Sequence, residues 1–138
     1  MVSATATQTV TISRQIDSSS KEVYAAFTDR DLLQNWLCNT AHLRAAEGGH
    51  LLLQWGQENT HAFCQYTTLQ ENKKIAFNWR AKGEDQDSLV SVDIEPGDNS
   101  VTMTLTHTDF SDDADVDTYH KQWDTRLNNL VSMLETGA

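Results

Sequence analysis

The chain has 138 residues, 38% apolar and 22% charged, with four Trp, four Phe and three Tyr, enough for a single core and too apolar for intrinsic disorder. Twenty acidic against ten basic residues give a net charge of -10 and a pI near 4.7, which repels phosphate backbones and so excludes nucleic acid as a partner. No stretch reaches the roughly 20 apolar residues of a membrane span, and Met1-Val2-Ser3-Ala4-Thr5-Ala6-Thr7 lacks the basic and apolar regions of an export signal, so no stable membrane insertion and a cytoplasmic location are expected.

Val10, Ile12 and Ile16 alternate with Thr9, Thr11, Ser13 and Gln15, which predicts a half-buried first strand with Arg14 on its apolar face. Asp17-Ser18-Ser19-Ser20 then offers helix caps. Val23, Tyr24, Phe27, Leu32, Leu33 and Trp36 follow at helical spacing across Thr28-Asp29-Arg30-Asp31, predicting two short helices joined by a turn. Glu47-Gly48-Gly49-His50 is a tight turn into a strand from Leu51 to Trp55, because paired glycines tolerate positive φ. Ala62, Cys64 and Tyr66 alternate next, and Gln70-Glu71-Asn72-Lys73 turns the chain into Ile75, Phe77 and Trp79. After a polar turn at Lys82-Gly83-Glu84-Asp85, Val90, Val92 and Ile94 form one arm of a hairpin closed by Glu95-Pro96-Gly97-Asp98-Asn99. The other arm carries Val101, Met103, Leu105 and His107 on one face and Thr102, Thr104, Thr106 and Thr108 on the other.

Beyond Asp112 the period changes. Val116, Tyr119, His120, Trp123, Leu127, Leu130, Val131 and Leu134 mark one stripe of a helix of about five turns, roughly 30 Å long at 1.5 Å per residue. Asp112, Asp113, Asp115 and Asp117 sit where the helix dipole favours negative charge, and Gly137 is a natural stop. Strands between an early helical pair and a late long helix predict an α+β fold of one domain. A bent antiparallel sheet gripping that helix leaves room for an apolar cavity.

Ile12-x-Arg14-x-Ile16, Val23-Tyr24-x-Ala26-Phe27-Thr28-Asp29, Leu32-x-x-x-Trp36, Gly48-Gly49, Phe77-x-Trp79, Leu105-Thr106-His107-x-x-Phe110 and Trp123-x-x-x-Leu127-x-x-Leu130-x-x-x-Leu134 together resemble the START-like (SRPBCC) superfamily. Within it the sequence is most similar to the branch named for the activator of heat-shock protein ninety ATPase. The chain departs from that branch at Asn35-Trp36, where a Trp pair is common, near Glu71-Asn72, where a Pro is common, and at Gln122, where a Gly precedes the helical Trp. The resemblance implies one START-like domain over residues 1–138, with its core at about 9–137. It implies a helix-grip fold, in which a curved antiparallel sheet wraps the C-terminal helix and encloses an apolar cavity opening near the helical pair. Members of the superfamily bind lipids, sterols, polyketides or other hydrophobic molecules, and some catalyse cyclisation or hydrolysis.

The expected walls of such a cavity are Tyr66, Trp79, Met103, Tyr119, Trp123 and Leu127, with Trp36 at the mouth. Aromatic rings with a polar edge bury much surface and still orient a ligand. Plain core packing is the alternative for each of them. Arg14 and His107 occupy apolar-face positions, where a polar group needs a partner or a ligand, and the two are candidates to clamp a carboxylate or carbonyl. Pairing within the protein is the alternative for both. His42, His50 and His61 lack metal-ligand spacing, so no metal site is expected. No nucleophile elbow, Walker loop or dinucleotide fingerprint occurs, and no cofactor is implied. Cys38 and Cys64 read as small apolar residues. Three functions follow in order: binding of a hydrophobic small molecule, a cyclase- or hydrolase-type enzyme using the same cavity with His107 or Tyr66 as acid–base residue, and association with a chaperone. Against the chaperone reading, the single expected START-like domain does not include the additional N-terminal domain of eukaryotic activators, and an exposed strand edge leaves a homodimer open.

Overall fold

Period-two alternation and one long amphipathic stripe translate directly into the architecture. A computed structural model of the chain describes residues 9–56, 60–81, 87–108 and 116–135. In chain order these form β1 (Val10–Ile16), α1 (Ser20–Thr28), α2 (Arg30–Trp36), β2 (Thr40–Leu43), β3 (His50–Trp55), β4 (Thr60–Gln70), β5 (Lys74–Ala81), β6 (Ser88–Pro96), β7 (Val101–Thr108) and α3 (Val116–Glu135). The seven strands make one antiparallel, curved sheet in the order β1-β7-β6-β5-β4-β3-β2, and α3 lies against its inner face. This is an α+β helix-grip fold. No helix among the described residues is long and apolar enough to cross a membrane.

Local chemistry explains the corners. Ser19 caps α1 through a reciprocal box, its hydroxyl accepting from Glu22 N at 3.2 Å while the Glu22 carboxylate accepts from Ser19 N at 3.3 Å. Asp29 ends α1 by donating its N–H to Ala25 O at 2.9 Å and starts α2 by accepting from Asp31 N and Leu32 N, which turns the chain between the helices. Gly48 has φ +84°, and a Cβ on Gly49 would overlap the Arg44 carbonyl and stand 2.9 Å from Ala46 O, so both glycines are required by the turn. Asn72 takes φ +63° in the β4–β5 turn, a conformation that asparagine tolerates.

Four features differ in detail from the sequence reading. β2 has no counterpart there, because four residues with one fully buried side chain, Ala41, carry no measurable period. β4 has a register shift between Tyr66 and Thr68, and Pro96 ends β6 opposite Val101, a place that spares the ladder its missing N–H. His120, placed on the helical stripe, is exposed, since one step from Tyr119 turns it about 100° away. The Lys82-Gly83-Glu84-Asp85 turn, the Asp112, Asp113 and Asp115 caps, Phe110 and the Gly137 stop lie outside the described residues.

The core is the layer between sheet and helix, where Tyr119, Trp123, Leu127 and Leu130 of α3 meet the inward residues of the strands. The outer face is polar. Thr9 and Thr108 share a hydroxyl contact at 3.1 Å and Ser13 and Thr104 one at 3.0 Å, and Phe63 is the large apolar side chain exposed there.

Candidate functional site

Antiparallel order brings one end of every central strand together. Trp55 closes β3, Ala81 closes β5, Ser88 opens β6 and Thr108 closes β7, all at the end of the sheet where α3 begins. Aromatic rings gather at this end because Trp79 and His107 point inward from their strands while Tyr119 and Trp123 face them one turn apart on α3. Trp79 lies 5.4 Å from Trp123, 5.7 Å from His107 and 6.1 Å from Trp55, measured between ring centres, and His107 lies 5.0 Å from Tyr119.

The indole N–H groups separate one tryptophan from the other three. Trp36 donates to Ala26 O at 2.8 Å, Trp55 to Leu37 O at 2.7 Å and Trp123 to His107 Nδ1 at 3.0 Å. Trp79, only 1% exposed, has a buried Nε1–H with no hydrogen-bond acceptor among the described residues. A buried donor left unmade costs about 1 to 3 kcal/mol. An oxygen acceptor placed beside it would recover that energy.

His107 is satisfied within the protein. Because Trp123 donates to Nδ1, the proton of the neutral ring sits on Nε2, which donates to Ser88 Oγ at 2.7 Å, and the Ser88 hydroxyl donates to Trp79 O at 3.2 Å. Burial first, and the Arg126 charge second, push His107 down to about 3, so the ring stays neutral throughout the physiological range. Ser88 escaped the sequence reading, although carrying the β6 alternation back from Val90 places it inward beside His107.

Arg126 also escaped it. Its guanidinium carbon sits 4.7 Å from the Trp55 ring centre, 5.3 Å from Trp123 and 5.9 Å from Trp79, a cation ringed by three indoles. The signal was its spacing, three residues after Trp123 on the flank of the apolar stripe. Its charge reaches Cys38 as well, whose thiol burial nevertheless pushes up to about 11; burial likewise pushes the Cys64 thiol up.

The remaining sequence candidates have other surroundings. Tyr66 donates its hydroxyl to Phe27 O at 2.7 Å, burial raises its pKa, and Phe77 links it to the cluster. Trp36 packs edge-on against Phe27 at 5.0 Å, within the helical pair. Met103, Leu127 and Trp123 are 0% exposed, so no water-sized void touches them. Arg14 reaches across to α3 and pairs with Asp124, with Asn128 Oδ1 at 3.4 Å. It stands opposite Met103 in the β1–β7 register whereas His107 stands opposite Val10, so the two do not form one clamp. His42 and His50 are exposed, and His61 meets Phe63 edge-on, 4.6 Å between ring centres. A cleft of about 270 Å³ opens at this end between Thr40, Gln54, Trp55, Gly56, Thr60 and His61, and Trp55, which lines it, also has the Arg126 guanidinium over its ring.

A seven-stranded sheet gripping a C-terminal helix over an aromatic interior defines a START-like (SRPBCC) protein, a fold that commonly binds hydrophobic ligands. The profile of the Activator of Hsp90 ATPase homolog 1-like protein family matches residues 17–135, and the chain belongs to that family. Protein MLL2253 from Mesorhizobium loti is similar in fold, with a TM-score of 0.85 at 18% identity over 95% of this chain and 99% of that one. DynU16 of the dynemicin biosynthetic locus has a TM-score of 0.80 at 20% identity over 94% of this chain and 48% of that one. The Aha1 dimer from Colwellia psychrerythraea has a TM-score of 0.79 at 21% identity over 94% of this chain and 98% of that one. No curated protein matches the sequence.

Proposed function

We propose that the chain binds a hydrophobic small molecule, of the lipid or polyketide kind, at the end of the sheet–helix interface bounded by Trp55, Trp79, Tyr119 and Trp123, without a cofactor. The observation that carries this reading is the buried Trp79 indole N–H, the single indole of four with no acceptor among the described residues. An apolar molecule presenting one oxygen there would bury its surface against the rings and satisfy that donor. Because no void touches Trp123 or Leu127, the ligand enters by displacing side chains on the side of half-buried Trp55. Passive binding is favoured over turnover: His107, the acid–base candidate, is neutral, buried and engaged on both ring nitrogens.

Titration with Nile red, an uncharged apolar dye, tests the reading. A saturable, one-site rise in dye emission that weakens in Trp79→Ala is expected. Linear, non-saturating partition identical in both proteins would overturn it.

A further inference from the structure

The cleft beside Trp55 bears on what the outer end of the ligand carries. Antiparallel register places Thr40, Gln54 and His61 in one row across β2, β3 and β4 on the outer face, while Trp55 and Thr60 form the next row, on the inner face. The cleft takes its walls from both rows and from Gly56, so it wraps the end of β3 and joins the outer surface to the Trp55 ring. Asn39 Oδ1 accepts from Gly56 N at 2.9 Å and pins that end. A volume of about 270 Å³ equals roughly nine water molecules, enough for a head group and too little for a whole lipid.

The walls offer one kind of chemistry. The hydroxyls of Thr40 and Thr60, the amide of Gln54 and the imidazole of His61 each donate and accept hydrogen bonds, and none of these side chains makes one to another described residue. No carboxylate, ammonium or guanidinium is among the lining groups. A carboxylate or phosphate head would use the donors alone and would enter against the field of a chain of net charge -10. An ammonium head would use the acceptors alone and find no carboxylate. Hydroxyl groups use donors and acceptors together.

We infer that the ligand is an uncharged amphiphile, whose polyhydroxylated head occupies this cleft against Thr40, Gln54, Thr60 and His61 while its apolar part passes Trp55 into the aromatic interior. This rests on the binding reading above and adds the class of the head group.

The matched probes are decyl glucoside, decan-1-ol and decanoate, which share a chain length and differ in the head, titrated by calorimetry below micelle-forming concentrations. Decyl glucoside is expected to bind about tenfold tighter than the alcohol, the weight of one or two net hydrogen bonds, and decanoate no tighter than the alcohol. Gln54→Leu, at an exposed position, and Thr60→Val, which removes a hydroxyl at nearly constant shape, should each bring the glucoside toward the alcohol while the alcohol's own affinity stays unchanged. Equal, saturable binding of glucoside and alcohol by the wild type, decanoate binding as tightly as the glucoside, or a glucoside advantage untouched in both variants would overturn the head-group inference and leave the hydrophobic-binding reading standing. Absence of saturable binding for all three probes would overturn the two together.

Discussion

Replacing His107 by Gln isolates the energetic consequence of keeping an imidazole neutral in the core. In the unfolded chain His107 takes up a proton near pH 6.5, whereas in the folded protein it does so only near pH 3. Between those values the unfolded state binds the extra proton, so stability rises with pH across this window and is level above it, by about 1.4 kcal/mol per pH unit. From pH 7.5 to pH 4.5 only the two units below 6.5 count, and the wild type loses about 3 kcal/mol through this residue. Carboxylates titrate in both proteins and cancel in the difference. Urea unfolding of wild type and His107→Gln at the two pH values reads it directly. The variant starts about 1 to 3 kcal/mol less stable at pH 7.5, because the Trp123 and Ser88 partners are imperfectly served, and the gap closes or reverses at pH 4.5. Stability curves that stay parallel between the two pH values would refute a neutral, buried His107.

Gly49→Ala should cost about 2 kcal/mol or more in urea unfolding, since its Cβ meets the Arg44 and Ala46 carbonyls and only backbone movement relieves the overlap; a loss under about 0.5 kcal/mol would mean the turn is slack. Cys38 and Cys64 should react with a disulfide reagent at neutral pH only as fast as the protein opens, because burial holds both as thiols. Stoichiometric labelling within seconds of mixing native protein would contradict that burial.

What the sequence made legible was set by repetition. Eight apolar inward residues from Ile75 to Met103 recur every second position along their strands, and Tyr119, Trp123, Leu127 and Leu130 recur every third or fourth, so sheet faces and the helix stripe could be read locally. β2 could not, because its position depends on pairing with β3 and on Gln34 Oε1 accepting from Ala41 N at 3.0 Å, both matters of the folded chain. The cluster of Trp79, His107, Tyr119 and Trp123 was legible as inward aromatic positions, but its wiring was not. Ser88 and Arg126 are polar residues at the margin of apolar patterns, and only the assembled register shows that one accepts from His107 and the other lies among three indoles. Arg14 was legible as an inward cation, yet a long side chain can leave its strand's interior, and here it spans to Asp124 on α3.

The claim that an apolar ligand is received at Trp79 is tested most directly by the indole region of a nitrogen–proton correlation spectrum, in which the four tryptophans give four side-chain signals. On titration with decan-1-ol, an apolar molecule presenting one oxygen, the Trp79 signal should move downfield and saturate as its proton gains an acceptor, while that of Trp36, already donating to Ala26 O, stays in place. A Trp79 signal unmoved at saturating probe, or four signals shifting equally and without limit, would contradict the account.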